Sequence, residues 1–201
     1  MFSRTENFSQ YIRLYPVVTV LLALNIFIAL VVYIPGLGSQ IYLGGMGINF
    51  LIAEGEWWRL FTPMFLHAGI SHLLFNMFSL FVFGPELEKI AGKARFLTVY
   101  LLAGVFGNIA TYFLQPLDYN SVGASGAIYG IFGAFGALVY YTKHILPQLR
   151  QIILPIIAIG VVMTFIQPNI NWIAHIAGLI VGFLIGLSYF HPKRIVSWKK
   201  K

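Results

Sequence analysis

The sequence predicts an all-α membrane protein, built as a bundle of six transmembrane helices with a first outer loop that is partly embedded in the membrane. Of its 201 residues, 59% are hydrophobic and 9% are charged, whereas about a quarter of the residues of a soluble domain are charged. Six runs also lack Lys, Arg, Asp and Glu, and most approach the roughly 20 residues that cross a bilayer. These runs are 16–35, 69–83, 96–114, 122–142, 152–166 and 172–190.

The length of each run sets an expectation for its helix. The first run is too long for a secretory signal and has no small-residue cleavage site, so we expect it to stay in the mature chain. The second and fifth runs are short, so their helices either continue into polar turns or lie below one surface, and a short second helix implies a recessed start. The segment 35–50 is apolar but contains five glycines, which favours a broken loop in the outer leaflet.

The positive charges predict the orientation. If the N-terminus lies inside, twelve of the thirteen Lys and Arg residues fall on the cytoplasmic side and Arg59 alone falls outside. This predicts a multi-pass protein of the cell membrane, with a cytoplasmic tail over 1–15, a membrane domain over 16–190 and a basic cytoplasmic tail over 191–201. The net charge of +7 is spread over loop ends, which favours contact with a lipid bilayer and not with nucleic acid.

Polar side chains inside the runs are the candidates for function, because such groups are costly in hydrocarbon. His72, Ser125 and His175 are each the fourth residue of a run that begins at the outer face. They therefore share one depth, about 5 Å below the helix starts. Asn76 follows His72 at i+4, and Tyr129 follows Ser125 at i+4.

This set of residues fits nucleophilic catalysis on a carbonyl group. An imidazole such as that of His175 can take the proton of the Ser125 hydroxyl and return it to a leaving amine. Ser125 lies in a first helical turn, where free N–H groups favour an oxyanion, and Gly123 and Gly126 leave room beside it for a substrate backbone. His72 and Asn76 share one helix face and could donate hydrogen bonds to the same oxyanion.

Glycine spacing predicts that the fourth and sixth helices pack closely. Small residues at intervals of about four let two transmembrane backbones approach, and such residues follow both Ser125 and His175. In the fourth run they are Gly126, Gly130, Gly133 and Gly136, and in the sixth Gly178, Gly182 and Gly186. This packing would turn His175 toward Ser125, with Tyr129 forming the floor of the site or stacking on the imidazole.

Other interpretations stay open on these patterns alone. The glycine-rich stretch could be a packing segment with an incidental serine, as in a non-catalytic scaffold that binds membrane helices. A small transporter could use His72 and His175 as a proton relay, although it usually needs buried acids or broken helices. No H-E-x-x-H string is present, so we expect no metal and no cofactor. The segment "WWR" at 57–59 indicates an interfacial anchor, Glu56 a solvated loop charge, and His67 a tether for the outer loop or for a water.

Three motifs together resemble those of the rhomboid intramembrane serine proteases. "EWWRLFTPMFLHAGISHLLFNM" at 56–77 resembles the first loop and second helix of that family, "GASG" at 123–126 its nucleophile motif, and "AHIAGLIVG" at 174–182 its base motif. The resemblance implies that Ser125 is the nucleophile and His175 the general base, with His72, Asn76 and the Ser125 amide as the oxyanion hole. It also implies an active site toward the outer face, which cleaves transmembrane protein substrates in or near the outer part of their helices.

Overall fold

The computed structural model describes residues 5–168 and 170–192. Nine α-helices, two short strands and two 3₁₀ turns make up the regular structure of these residues. The helices are α1 (Phe8–Leu14), α2 (Pro16–Val32), α3 (Leu37–Gly45), α4 (Asn49–Ala53), α5 (Ile70–Ala91), α6 (Lys93–Leu114), α7 (Ser125–Thr142), α8 (Pro147–Ile166) and α9 (Trp172–Tyr189). The strands are β1 (Gly47–Ile48) and β2 (Asn120–Ser121), and the 3₁₀ turns are Trp57–Leu60 and Thr62–Phe65.

Several of these helices have the length and apolar character of membrane spans. Among the described residues, α5, α6, α8 and α9 each meet both conditions, and α1 with α2 would add a fifth span if this pair, bent by 110°, is counted as one. Large apolar side chains cover the outside of the bundle, for example Phe75 on α5 and Leu184 on α9. The chain is an all-α, multi-pass membrane protein apart from its two-residue strands. The predicted basic tail at 191–201 lies almost entirely outside the described residues.

The helices that contain the second and fifth apolar runs, α5 and α8, are longer than those runs. Helix α5 has 22 residues and α8 has 20, because the polar segments 84–91 and 147–151 continue the helical backbone. The helices pass through Pro85 and Pro155. The expected continuation into polar turns is thus confirmed, whereas the prediction of a short second helix, on which the recessed start of α5 depended, is wrong.

The close packing of α7 on α9 confirms the prediction from the glycines. Helix α7 lies at the centre of the bundle, with 13 of its 18 residues buried. A β-carbon on Gly178 would overlap the carbonyl oxygen of Gly126, and one on Gly182 would overlap that of Gly130. The two backbones are therefore in direct contact along this stripe, which a larger residue at either position would push apart.

The segment predicted to form the first outer loop is more ordered than its glycines indicate. Most of 37–53 is helical, in α3 and α4, and Arg59 binds the C-terminal end of α3. Its Nη1 donates to the carbonyl oxygens of Leu43 and Met46, both at 2.7 Å, and its Nε donates to Glu56 Oε2 at 2.6 Å. Arg59 is thus a buried internal brace, and Glu56 is its ion-pair partner instead of the solvated loop charge that was predicted.

A two-residue ladder connects this loop to the start of α7. Gly47 pairs with Ser121 and Ile48 with Asn120, antiparallel. The Gly123 amide then donates to the Pro63 carbonyl oxygen at 2.8 Å. Nothing in the sequence pattern predicts these strands, but they fix the segment that enters α7 at Ser125.

Candidate active site

The starts of α5, α7 and α9 carry the residues singled out in the sequence. His72 is the third residue of α5, Ser125 the first of α7 and His175 the fourth of α9. Gly123 lies between the first two with φ of +133°. A β-carbon at this position would be 2.9 Å from His72 Nε2 and 3.5 Å from Ser125 Oγ. The His72 ring and the Ser125 hydroxyl therefore flank Gly123, and only glycine leaves the gap between them open.

The His72 ring presents a hydrogen-bond donor to this gap. Its Nδ1 accepts from the Ala68 amide at 3.3 Å, so the proton of the neutral ring is on Nε2. Nε2 is the nitrogen that faces Gly123. Asn76 is buried one turn further along α5, and its Nδ2 donates to the His72 carbonyl oxygen at 2.8 Å. That bond uses one of the two amide protons of Asn76 and leaves the other available.

His67 supports His72 from the outer loop. The two rings meet edge to face, with centroids 5.2 Å apart. Burial, with a smaller contribution from the charge of His72, lowers the pKa of His67 to about 3, so the ring is neutral at physiological pH. Neither of its nitrogens has a hydrogen-bond partner among the described residues. His67 thus acts on this part of the loop through packing, and its role in holding a water stays a prediction.

His175 is buried and held on two sides. Its ring stacks on that of Tyr129, with centroids 4.1 Å apart and planes 16° from parallel, which is the stacking anticipated from the sequence. Its Nδ1 lies 2.8 Å from Thr164 Oγ1 on α8. Both contacts fix the plane of the ring, and among the described residues no hydrogen bond engages its Nε2.

Ser125 and His175 lie on the two most closely packed helices. A β-carbon at Gly126, next to Ser125, would be 3.4 Å from the carbonyl oxygen of Ala174, next to His175. In the described part of the chain no direct hydrogen bond joins the Ser125 hydroxyl to the imidazole. Such bonds are often long in a free enzyme and shorten when the substrate binds.

The start of α9 is tied to α6 by residues that sequence reasoning missed. Asn171 caps α9, accepting from the Ala174 amide at 3.1 Å, and its Nδ2 donates to Thr111 Oγ1 at 2.9 Å. The Asn49 side chain in turn donates to the Gln115 and Pro116 carbonyl oxygens at the end of α6. Asn171 precedes an apolar run, which is a recognisable capping signal, whereas Thr111 and Thr164 carry none, since threonine is common in apolar helices.

The structure defines a class of protein: a helical membrane protein with a serine, two imidazoles and a carboxamide gathered where three helices begin. A sequence model of the Rhomboid domain matches residues 54–192. The chain belongs to the rhomboid family.

Three relatives illustrate the match. The Bacillus subtilis (strain 168) protein named "Putative rhomboid protease YdcA" is 49% identical over 187 residues, which are 92% of this chain and 94% of that protein. Rhomboid protease GluP of the same organism is 44% identical over 149 residues, or 72% of this chain, which spans only 28% of the length of GluP. Rhomboid protease AarA of Providencia stuartii is 30% identical over 189 residues, covering 79% of this chain and 66% of AarA.

Proposed function

We propose that this protein is an intramembrane serine endopeptidase that cleaves transmembrane protein substrates in or near the outer part of their helices. Ser125 is the nucleophile and His175 the general base. The observation that carries the proposal is the stacked, buried His175 on α9, packed against the helix that begins at Ser125. The relatives are named as rhomboid proteases, and these names support the same activity.

The reaction proceeds through an acyl-enzyme. His175 Nε2 takes the proton of the Ser125 hydroxyl as Oγ bonds to the carbonyl carbon of the substrate. The tetrahedral intermediate collapses when the C–N bond breaks and His175 gives that proton to the leaving amine. Water then attacks the ester, again with His175 as base, and releases the second product with Ser125 restored.

The oxyanion of the intermediate lies beside Gly123. We assign three donors to it: His72 Nε2–H, which faces Gly123, the second side-chain N–H of Asn76, and the Ser125 amide. No side chain of the described residues caps the start of α7, so its first amides also remain available to a developing negative charge. Removing one such donor typically lowers kcat by about a hundred- to a thousandfold.

The membrane topology belongs to the proposal as well. We place six spans in the bilayer, namely α2 and α5 to α9, within a membrane domain over 16–190. Both termini are cytoplasmic and the site opens toward the outer face, as the distribution of Lys and Arg indicates. The first outer loop, with exposed Leu37, Leu43 and Phe50, lies partly in the outer leaflet.

Cleavage of a transmembrane reporter by the purified protein in liposomes tests the function. Ser125→Ala and His175→Ala are each expected to lower the rate at least about a thousandfold. Ser39→Ala is the matched control, because Ser39 is exposed on α3, and it should cleave like wild type. A scaffold would bind the reporter without cleaving it, and undiminished cleavage by Ser125→Ala would exclude Ser125 as the nucleophile.

Substrate selection follows from the chemistry of a helix. Carbonyl groups in a helix are engaged in i to i−4 hydrogen bonds, so a substrate must unwind before Ser125 can attack. Gly, Pro or polar residues lower the cost of unwinding. Reporters that differ only in these residues should be cleaved faster than a rigid Leu-rich helix, and equal rates would contradict this selection.

A further inference from the structure

Thr164 of α8 joins the base to a short chain of hydroxyl groups. Its Oγ1 lies 2.8 Å from His175 Nδ1 and 2.6 Å from the Tyr129 hydroxyl. The Tyr129 hydroxyl lies 2.6 Å from the carbonyl oxygen of Gly160, and Thr164 Oγ1 lies 3.0 Å from that same oxygen. All four residues meet at the outer end of α8, and the side chain of Thr164 is buried.

The number of available protons determines the direction in which each hydrogen bond of this series is donated. The Gly160 carbonyl can only accept, and each hydroxyl supplies one proton. If His175 Nδ1 carries a proton, it donates to Thr164, Thr164 donates to Tyr129, and Tyr129 donates to Gly160. The three shortest contacts then each contain a proton, and the 3.0 Å contact alone is left without one.

The opposite tautomer fits the distances less well. If Nδ1 carries no proton, Thr164 must donate to it, and Tyr129 has one proton for two neighbours at 2.6 Å. One of those short oxygen pairs is then left without a proton between its atoms, which is repulsive at that distance. The series of hydrogen bonds therefore favours the His175 tautomer with a proton on Nδ1 and a lone pair on Nε2.

We infer that Thr164 is a positioning residue that holds His175 in the tautomer a general base requires. This inference rests on the proposed protease function, in which Nε2 takes the proton of Ser125. Thr164 does the work that a carboxylate does in a Ser-His-Asp triad, namely fixing the ring and its proton. It also lies in the last turn of α8, where the negative end of the helix dipole stabilises the positive charge that the ring takes up during attack.

The contact between Thr164 and His175 makes the tautomer of His175 depend on the position of α8. The buried residues of α8 in the described structure are Leu149, Ile153 and Thr164, and Thr164 alone of these belongs to the outer end. Any displacement of that end removes the partner of Nδ1 and frees the ring to change tautomer. The reactivity of His175 is thereby coupled to the position of a helix that carries neither of the two reacting groups.

The test compares three threonine variants in kcat and KM. Thr164→Val keeps the shape and removes the hydroxyl, so kcat should fall about ten- to a hundredfold with KM within about twofold. Thr164→Ser restores the hydroxyl and should return kcat to within about threefold of wild type. Thr142→Val is the matched control, since Thr142 also bonds the carbonyl four residues before it, at 2.8 Å, but at the far end of α7, and it should leave kcat unchanged.

Nitrogen chemical shifts of labelled histidine separate this inference from the protease function. The His175 signals, assigned by their loss in His175→Gln, should show a proton on Nδ1 in wild type and a mixture of tautomers in Thr164→Val. This measurement needs no turnover, so it tests the inference even if the protein cleaves nothing. An Nδ1 without a proton in wild type would overturn it, as would a Thr164→Val variant with the wild-type kcat and tautomer.

Discussion

Two of the interfaces of α7, with α9 and with α8, are built in opposite ways. Against α9 it packs backbone to backbone, with Gly178 and Gly182 seated on the carbonyl groups of Gly126 and Gly130. Against the outer end of α8 it relies on the hydrogen bonds of Tyr129 to Gly160 and Thr164. The first interface tolerates no shift, whereas the second can open by exchanging a few hydrogen bonds. The proposed nucleophile Ser125 and base His175 thus lie on the more rigid pair of helices, whereas Thr164, which we infer to set the tautomer, lies on a helix that is easier to move.

The largest effect is expected from breaking the rigid interface. In Gly182→Ala the new methyl group would lie 2.6 Å from the Gly130 Cα and carbonyl carbon, which forces α7 and α9 apart. Overpacking of this kind costs about 3 kcal/mol, and we expect a matching loss of stability in thermal unfolding in detergent. Gly136→Ala is the control, because its methyl group would be 3.5 Å from Phe183 Cδ2, an ordinary contact. Equal stability of the two variants would show that the stripe is not rigid.

A crosslink between α8 and α5 should affect transmembrane substrates most. The chain has no cysteine, so a pair introduced at the exposed positions Phe75 and Phe165 can be joined by reagents of graded length. If α8 moves to admit a substrate helix, the shortest link should slow cleavage at least about tenfold. Labelling of Ser125 by a small fluorophosphonate should continue under the same link. Unchanged cleavage at every length would exclude movement of α8 as the gate.

Tyr129→Phe removes the hydroxyl but keeps the ring that stacks on His175. The series of hydrogen bonds then lacks the hydroxyl that connects Thr164 to the Gly160 carbonyl. We expect kcat to fall about three- to tenfold, the value of one hydrogen bond, and less than in Thr164→Val. Steady-state kinetics of the reporter measures this difference. A larger loss than in Thr164→Val would contradict this account, because the Tyr129 hydroxyl would then act on the site by a route other than Thr164.

The smallest effect is expected at His67, whose ring is buried and has no hydrogen-bond partner among the described residues. The pKa of His67 is about 3 in the folded protein, below its ordinary value of 6.5, so the unfolded chain binds more protons between these values. Stability should therefore fall as the pH drops from 6.5 toward 3. His67→Phe keeps the ring against His72 and should flatten this dependence, whereas His144→Phe, at an exposed position, should not. Parallel unfolding curves against pH for wild type and His67→Phe would contradict this source of acid sensitivity.

The same contrast explains what could be predicted from the sequence. The α7–α9 interface was predictable because close helix packing requires small residues, and the spacing of Gly178 and Gly182 is visible in the chain. The grouping of His72 with Ser125 was predicted from their equal position in the two apolar runs, but their depth relative to the helix starts was not, since His72 is the third residue of α5 and Ser125 the first of α7. Thr164 could not be found this way, because its hydroxyl also satisfies itself on the Gly160 carbonyl, so the residue type does not reveal the second partner.

The contacts of the first outer loop could not be predicted from the sequence, for a different reason. Arg59 follows two exposed tryptophans, a pattern typical of a membrane interface, yet its guanidinium is buried by carbonyl groups 13 and 16 residues earlier. The ladder between β1 and β2 pairs only two residues on each strand, too few to leave a periodic pattern. Both features depend on long-range contacts that local spacing does not encode.

Mapping the residue modified by a fluorophosphonate tests the central claim most directly. After reaction of the intact protein in liposomes, peptide mass spectrometry should find one adduct, on Ser125, and His175→Ala should abolish it while Ser39→Ala does not. This result would establish an activated serine beside its base in the membrane domain. An adduct on another serine, or equal labelling of Ser125 without His175, would contradict the account.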